Sequence, residues 1–347
     1  MKKKLLMAAV GAALVAGPMV AAHAAGATLY GHFHMSMDRF DNDSKEEGVM
    51  ANNSSRFGIK GDEDLGGGLK AIYQIESPIF AADEGTGGFG GTMRNTFVGF
   101  SGGWGAVKIG RHDTPYKDLG RKLDNFNEQV GDMRNLIGSA GTYDKRVSNM
   151  IRYESPSFGG LNVVVQNTSN NNTPPATETT ATVHKDTSLG VNWSAGPLFL
   201  GAAWNEVGNT SDNDTTGMRL AGAYTMNDFT FGLFWESLSD IGGTSGADRD
   251  AMGLVAAMKM GNNKFKFHWL DADKQDDVAD SGGDMWAIGV DHMFSKTALV
   301  YLNYASVGND TASTFNTANG PGGHGDNLAA SAGKDATAFS AGYILKF

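Results

Sequence analysis

Residues 28–40 read TLYGHFHMSMDRF. Leu29, Phe33, Met35 and Met37 share one parity, and His32, His34, Ser36 and Asp38 share the other. That is the period-two pattern of an extended strand with one apolar and one wet face. The alternation returns in FTFGLFWESL, where Phe229, Phe231, Leu233 and Trp235 oppose Thr230, Gly232, Phe234 and Glu236. It returns again in KFKFHWLDADK, with Phe265, Phe267 and Trp269 opposite Lys264, Lys266 and His268. The last such stretch, TAFSAGYILKF, places Phe339, Tyr343, Leu345 and Phe347 on one side.

Working outward from these stretches marks sixteen segments, near residues 27, 54, 69, 94, 105, 146, 160, 187, 198, 217, 229, 251, 264, 285, 297 and 337. Short connections (63–68, 195–197, 227–228, 261–263) alternate with long ones (41–53, 168–186, 308–334), so the two kinds lie at opposite ends. The expected fold is all-β, a transmembrane antiparallel β-barrel of sixteen strands with short periplasmic turns and long external loops. Hydrocarbon offers no partner to a backbone N–H or C=O, so the sheet must close and its first and last strands must pair. A soluble sandwich or lectin would have to bury the apolar faces inside, and sixteen strands enclose a space too wide for side chains alone to fill. Aromatic residues also gather at segment ends, as Phe229 and Trp235 or Tyr343 and Phe347 do, in the manner of an interfacial girdle.

Composition agrees. With 48 Gly, no Cys and 41% apolar residues in 347, the chain is too apolar for disorder and too rich in glycine for a helix bundle. Lys2, Lys3 and Lys4, the apolar run from Leu5 to Val20 and Ala22-His23-Ala24 read as a cleaved export signal over residues 1–24. Residues 25–347 then form one domain. Removing three lysines leaves 25 cations against 38 acids, a mature charge of −13. Such a chain repels polyanions, and nucleic acid is excluded as a partner. Stability must come from hydrogen bonding and packing, because no disulfide can form.

At this point the sequence resembles the general porins of Gram-negative bacterial outer membranes, a trimeric, sixteen-stranded family. The likeness is carried by SSRFGIKGDEDLGGGLKAIYQIE (54–76), by TLYG from Thr28, by FVGFSGGWGAVKIGR (97–111), by IRYESPSFGGLNV (151–163) and by the terminal Phe347, which resembles the signal read by the barrel-insertion machinery. Two motifs depart from the family. Ser295-Lys296-Thr297 lacks an arginine, and the long connection after the fifth strand lacks Pro-Glu-Phe-Gly-Gly-Asp.

The resemblance implies that residues 112–145 are the third loop, folded into the barrel to narrow it. Asp124, Glu128 and Asp132, spaced four apart, would line one face of a short helical turn as its acidic side. A basic wall should oppose them. With Phe57 and Ile59 outward, Arg56 and Lys60 point inward; with Val147, Ile151 and Tyr153 on lipid, Arg146 and Arg152 do likewise. Arg56 and Arg146 match family positions of the constriction's arginine cluster. Arg94 matches as well, although parity counted back from Val98 and Phe100 would turn it outward. Gln74 and Glu76 are expected to brace these arginines, and His32 to add polarity to the lumen.

The implied function is a non-enzymatic channel for passive diffusion of small hydrophilic solutes and ions, exported to the outer membrane and assembled as a homotrimer among lipid and lipopolysaccharide. The alternatives are a channel selective for phosphate or sugars, or a hydrolase or structural surface protein on a barrel scaffold. The total charge suggests mild cation preference. His32 and His34, with Asp38, read as pore-lining polarity, and no metal site or cofactor is expected. Divalent cations at the external acids Asp41 with Asp43, Asp248 with Asp250 and Asp276 with Asp277 are the one exception considered.

Overall fold

A computed structural model describes residues 26–80, 88–89, 92–138, 143–168, 185–208, 213–318 and 323–347. The expected export signal at 1–24 lies outside them. Among the described residues the strand segments are β1 (Thr28–Asp41), β2 (Glu46–Asn52), β3 (Arg56–Gly66), β4 (Leu69–Phe80), β5 (Gly88–Phe89), β6 (Thr96–Gly102), β7 (Gly105–Asp113), β8 (Arg146–Glu154), β9 (Leu161–Thr168), β10 (Asp186–Ala195), β11 (Leu198–Val207), β12 (Thr215–Met226), β13 (Phe229–Ser239), β14 (Arg249–Met260), β15 (Asn263–Ala272), β16 (Gly283–Met293), β17 (Ala298–Asn309) and β18 (Ala336–Lys346). β2 and β3 both pair with β1 and together make one stave; β5 pairs antiparallel with the end of β4, on the same side as β6, and counts with β6 as one stave. The cylinder therefore has sixteen antiparallel staves. It closes where His32–Asp41 of β1 pair with β18, and Gly31 and Phe347 exchange backbone hydrogen bonds of 3.0 and 3.1 Å. No helix among the described residues is long and apolar enough to cross a membrane.

Burial follows the alternation read from the sequence. Met37, Val98 and Leu233 on the outer face are 66%, 63% and 70% exposed, whereas His34, Asp38, Glu236 and His268 on the inner face are buried. A continuous apolar exterior with a polar interior is the inverse of a soluble protein and suits a lipid surround.

One boundary differs from expectation. Residues 46–52, read as part of a long external loop, are strand, joined to β1 by a turn over residues 42–45. The disguise is a local break: Ser54 has φ +55°, and the Asn53 and Ser55 side chains bond into β1 at Ser36 and His34. Three polar residues in a row interrupt the alternation although the backbone stave continues past them.

The loop between β7 and β8 folds inside. Its helix α1 (Pro115–Leu123) is capped by the Thr114 hydroxyl, which accepts from Lys117 N, and has proline at its first turn, where no N–H is needed. Asp124 ends it with extended dihedrals, its carboxylate turning to Phe126 N at 2.8 Å. Tyr116, Leu119 and Leu123 pack with Leu136, Ile137 and Tyr143 against inward Ala203, Ala221, Phe234, Leu238 and Val255. The wall has been hollowed to receive them. A Cβ on Gly201 would lie 2.4 Å from Leu119, and one on Gly217 would lie 2.8 Å from Tyr143. Farther round, Phe126 and Val130 pack against Ala287, Ala305 and Ala338.

An ion network pins this seat. Arg219 of β12 is fully buried, holds Asp144 through two 2.8 Å hydrogen bonds, pairs with Glu236 of β13 and lies 4.1 Å over the Tyr116 ring. Glu236 also accepts from Tyr116 Oη at 2.7 Å and Gly138 N at 2.8 Å. The described residues between β17 and β18 close over the far side: the Thr317 carbonyl accepts from Gly131 N and Asn135 Nδ2, both at 2.7 Å. No pattern in the sequence signals this second inward loop.

Two outcomes are expected. Leu233→Arg, at mid-stave on the outer face, should cost roughly 2–4 kcal/mol in folding titrations into lipid vesicles, while Leu65→Arg beside a short turn should cost about 0–1 kcal/mol. Equal costs would mean the exterior is not in lipid. Arg219→Met strands two buried carboxylates, so it should lose roughly 3–5 kcal/mol and open the 114–145 segment to limited proteolysis; unchanged protease resistance would show that the network does not hold the loop.

Candidate functional site

With the loop seated on β10–β18, the remaining inner wall from β3 to β9 carries the charge. Arg56 of β3 reaches across to Glu128 of the loop at 2.7 Å. Arg94 joins the same carboxylate oxygen at 3.5 Å and is braced by Glu76 at 2.7 Å. The parity objection to Arg94 falls away, because β6 starts at Thr96 and the residue precedes it. Glu76 also accepts from Tyr30 Oη at 2.9 Å, whereas Gln74 bonds the Asn95 carbonyl and backs the arginines only at one remove. Lys60 lies on the inner face as expected but below this cluster, 5.1 Å over the Tyr30 ring.

Arg146 and Arg152 form a second group. Arg146 bonds Asn95 Oδ1 at 2.6 Å and Asp113 at 3.1 Å. Val147, expected on lipid, is only 2% exposed, while Ile151 is 54% exposed. The reason is a register shift opposite Gly110/His112, with Asn149 at φ +54°, which breaks the parity count along β8. Arg146 is thus oriented by Asp113 rather than by alternation. Arg152 contacts Asp118 of α1 at 2.8 Å, Glu154 at 2.7 Å and Gln166 at 3.1 Å.

The three acids expected on one helical face separate. α1 stops before Asp124, so the spacing of four spans turns instead. Asp124 serves Phe126 N and Met133 N; burial, with Asp132 beside it, pushes its carboxyl above the usual range. Asp132 caps the turn at Met133–Asn135 and pairs with Arg134 at 2.6 Å, so neither acid reaches the basic wall. Glu128 alone does. Burial would raise its carboxyl, but the Arg56, Arg94 and Arg121 guanidiniums outweigh that and hold it well below the usual carboxylate range. Its backbone sits at φ +63°, a conformation costing a non-glycine residue on the order of 1–3 kcal/mol and tolerated where the surroundings fix it.

Sequence reasoning missed Asp113, which ties Arg121 at 2.8 Å and Lys117 at 3.5 Å to Arg146. It also missed Asp118, Arg121 and Lys122 on α1. These face a polar cavity of about 380 Å³ bordered across the gap by Arg152, Glu154, Asn162 and Asn192. The external acids serve their own turns: Asp41 accepts from Asp43 N and Asp248 from Asp240 N, both at 2.9 Å, and Asp277 from Gln275 Nε2 at 2.7 Å. Phe347 is 46% exposed on the outer face, its ring 5.9 Å from that of Phe33.

This geometry has counterparts. The anion-selective porin from Comamonas acidovorans superposes with a TM-score of 0.77 at 26% identity, over 92% of this chain and 99% of that one. Outer membrane porin protein 32 of Delftia acidovorans is 34% identical over 173 residues, 47% of this chain and 48% of its own length. Major outer membrane protein P.IB of Neisseria gonorrhoeae is 30% identical over 177 residues, 48% of each chain. The chain thus spans about half the length of the curated relatives it matches. The family model described as Gram-negative porin matches residues 8–312, most of the barrel. On that match and the closed sixteen-stave fold, the chain belongs to the Gram-negative porin family and is a β-barrel of the outer membrane.

Proposed function

We propose that the protein is a non-enzymatic channel through which small hydrophilic solutes and ions diffuse passively. The observation that carries this reading is a loop anchored inside a closed barrel, leaving a charged passage between α1 and the opposite wall. Polar groups on both sides suit hydrated solutes. The lining of the passage is charged and amide-bearing, which does not favour the sugar-selective alternative. Assembly as a homotrimer, contact with lipid and lipopolysaccharide, and use of Phe347 by the insertion machinery belong to the same reading, supported by the apolar exterior.

The passage prefers anions in this reading, against the expectation from total charge. Arg56, Lys60, Arg94, Lys108, Arg121, Lys122 and Arg152 outnumber Glu76, Asp118, Glu128 and Glu154 along it. The resemblance to a protein described as anion-selective points the same way.

Planar-bilayer recording tests both claims. Purified protein should give stepwise conductance, and its absence would sink the channel reading. In a salt gradient the reversal potential should report anion preference. A unit charge ~6 Å from the ion path is worth about 0.7 kcal/mol in water. Replacing Arg121 and Lys122 by serine should therefore shift the permeability ratio toward cations by roughly threefold for each charge, and an unmoved reversal potential would take both residues off the path.

A further inference from the structure

His32 and His34 project inward from β1, and loop residue Glu128 descends onto them. One ring nitrogen of each histidine and one Glu128 oxygen all lie within 4.8 Å of one another, and all three residues are buried. The His32 Nε2 atom is 3.8 Å from Glu128 Oε2 and has no hydrogen-bond partner, while the Ser54 backbone meets the same ring. His34 is oriented by Tyr301 Oη, 3.0 Å from its Nε2. Glu128 divides its two oxygens: Oε1 takes Arg56 and Arg94, and Oε2 faces His32.

We propose that His32, His34 and Glu128 bind a divalent transition-metal ion of the zinc type. Two imidazoles and a carboxylate form a recognised zinc donor set that leaves a fourth position for water, and imidazole nitrogen disfavours magnesium and calcium. With Tyr301 on its Nε2, His34 would ligate through Nδ1, and hydrogen-bond partners such as Tyr301 and Ser54 for the rings and Arg56 for the carboxylate fix the orientation of ligands at metal centres. An unpaired, buried imidazole nitrogen is otherwise costly and has no structural use here. Closing 4.8 Å to the ~3.4 Å ligand separation of a tetrahedral ion with 2.0–2.2 Å bonds needs side-chain rotation of about 1 Å. Asp38, the acid nearest in sequence, is occupied instead by Ser36 Oγ at 2.7 Å and His324 at 3.2 Å. Such an ion would neutralise Glu128 and add positive charge where Arg56 and Arg94 already stand, lowering conductance and favouring anions. This consequence rests on the channel reading; the site itself does not.

The test uses the full-length protein in detergent with cobalt chloride as a spectroscopic stand-in for zinc. Saturable visible absorption of low-symmetry cobalt, displaced by zinc chloride and not by magnesium chloride, is expected whether or not the barrel conducts. Absence of any saturable spectrum overturns the proposal. His32→Gln should raise the half-saturating concentration roughly tenfold or more; an unchanged value in a variant that keeps its folded mobility on gels would also overturn it. In bilayers, zinc should reduce single-channel current in the unaltered protein and lose that effect by the same factor in the variant. Spectral binding without a current effect would retain the site and remove its influence on flow.

Discussion

Every other feature depends on the backbone hydrogen bonds that close β1 on β18. A lipid surround supplies no donors or acceptors, so an unpaired stave edge would leave a row of polar groups costing several kcal/mol each. Closure forces outward side chains to be apolar and frees inward ones to be polar, which Met37 beside Asp38 or Leu233 beside Glu236 displays. Sixteen staves then enclose more space than their own side chains can fill. Something else has to occupy the centre, and here it is the chain's own loop.

The interior is consequently divided. From β10 to β18 small and apolar residues such as Gly201, Gly217, Ala221 and Ala287 make room for Leu119, Tyr143 and Phe126, and charges among them such as Arg219 with Glu236 and Lys266 with Asp291 are buried in pairs. From β3 to β9 the interior is charged. The division positions α1 without contact to the wall opposite except through side chains, so Asp118 meets Arg152 and Glu128 meets Arg56 across the gap. Arg219 holds the apolar half together electrostatically. Arg219, Asp144 and Glu236 exchanged together for packed hydrocarbon would cost little, but removal of any one of them alone would be severe. The trio therefore specifies where the loop sits more than how stable the barrel is.

Strand positions were legible because period-two alternation against lipid is nearly obligatory, and the sixteen marked positions each fall within two residues of the start of a strand. The exception at 46–52 failed because Asn53, Ser54 and Ser55 break the pattern without breaking the pairing. Parity placed Arg56 and Arg152 well and misread Arg94 and Val147, one lying before its strand and the other beyond a bulge. The acids of the loop failed for a different reason. Their spacing of four has meaning only on a helix, and Asp124 is where the helix ends. One signal was present and unused: Phe234 and Leu238 fall on the wet parity of β13, and an apolar residue facing a lumen marks a place where something covers it. No spacing rule could have joined Thr317 to Gly131, since their contact exists only once both loops have turned inward.

The contrast between total and local charge follows from screening. At physiological ionic strength an exposed charge loses most of its influence within ~8 Å. Asp43, Asp276 and Asp277 sit in external loops and Asp250 at the loop end of β14, where they contribute to the net charge of −10 without touching the field at α1. Groups along the passage are closer to a permeating ion and partly shielded from bulk water, so their interaction with it is stronger per charge. An ion pair such as Arg152–Asp118 does not cancel there either. It is a dipole fixed across the gap, with its field directed from the wall toward the loop, and a solute carrying its own separated charges can align with that field while an apolar solute must surrender oriented water to enter. In the proposed channel, preference for polar solutes would thus need no net charge at all, and the surplus of guanidinium and ammonium groups would decide only the sign.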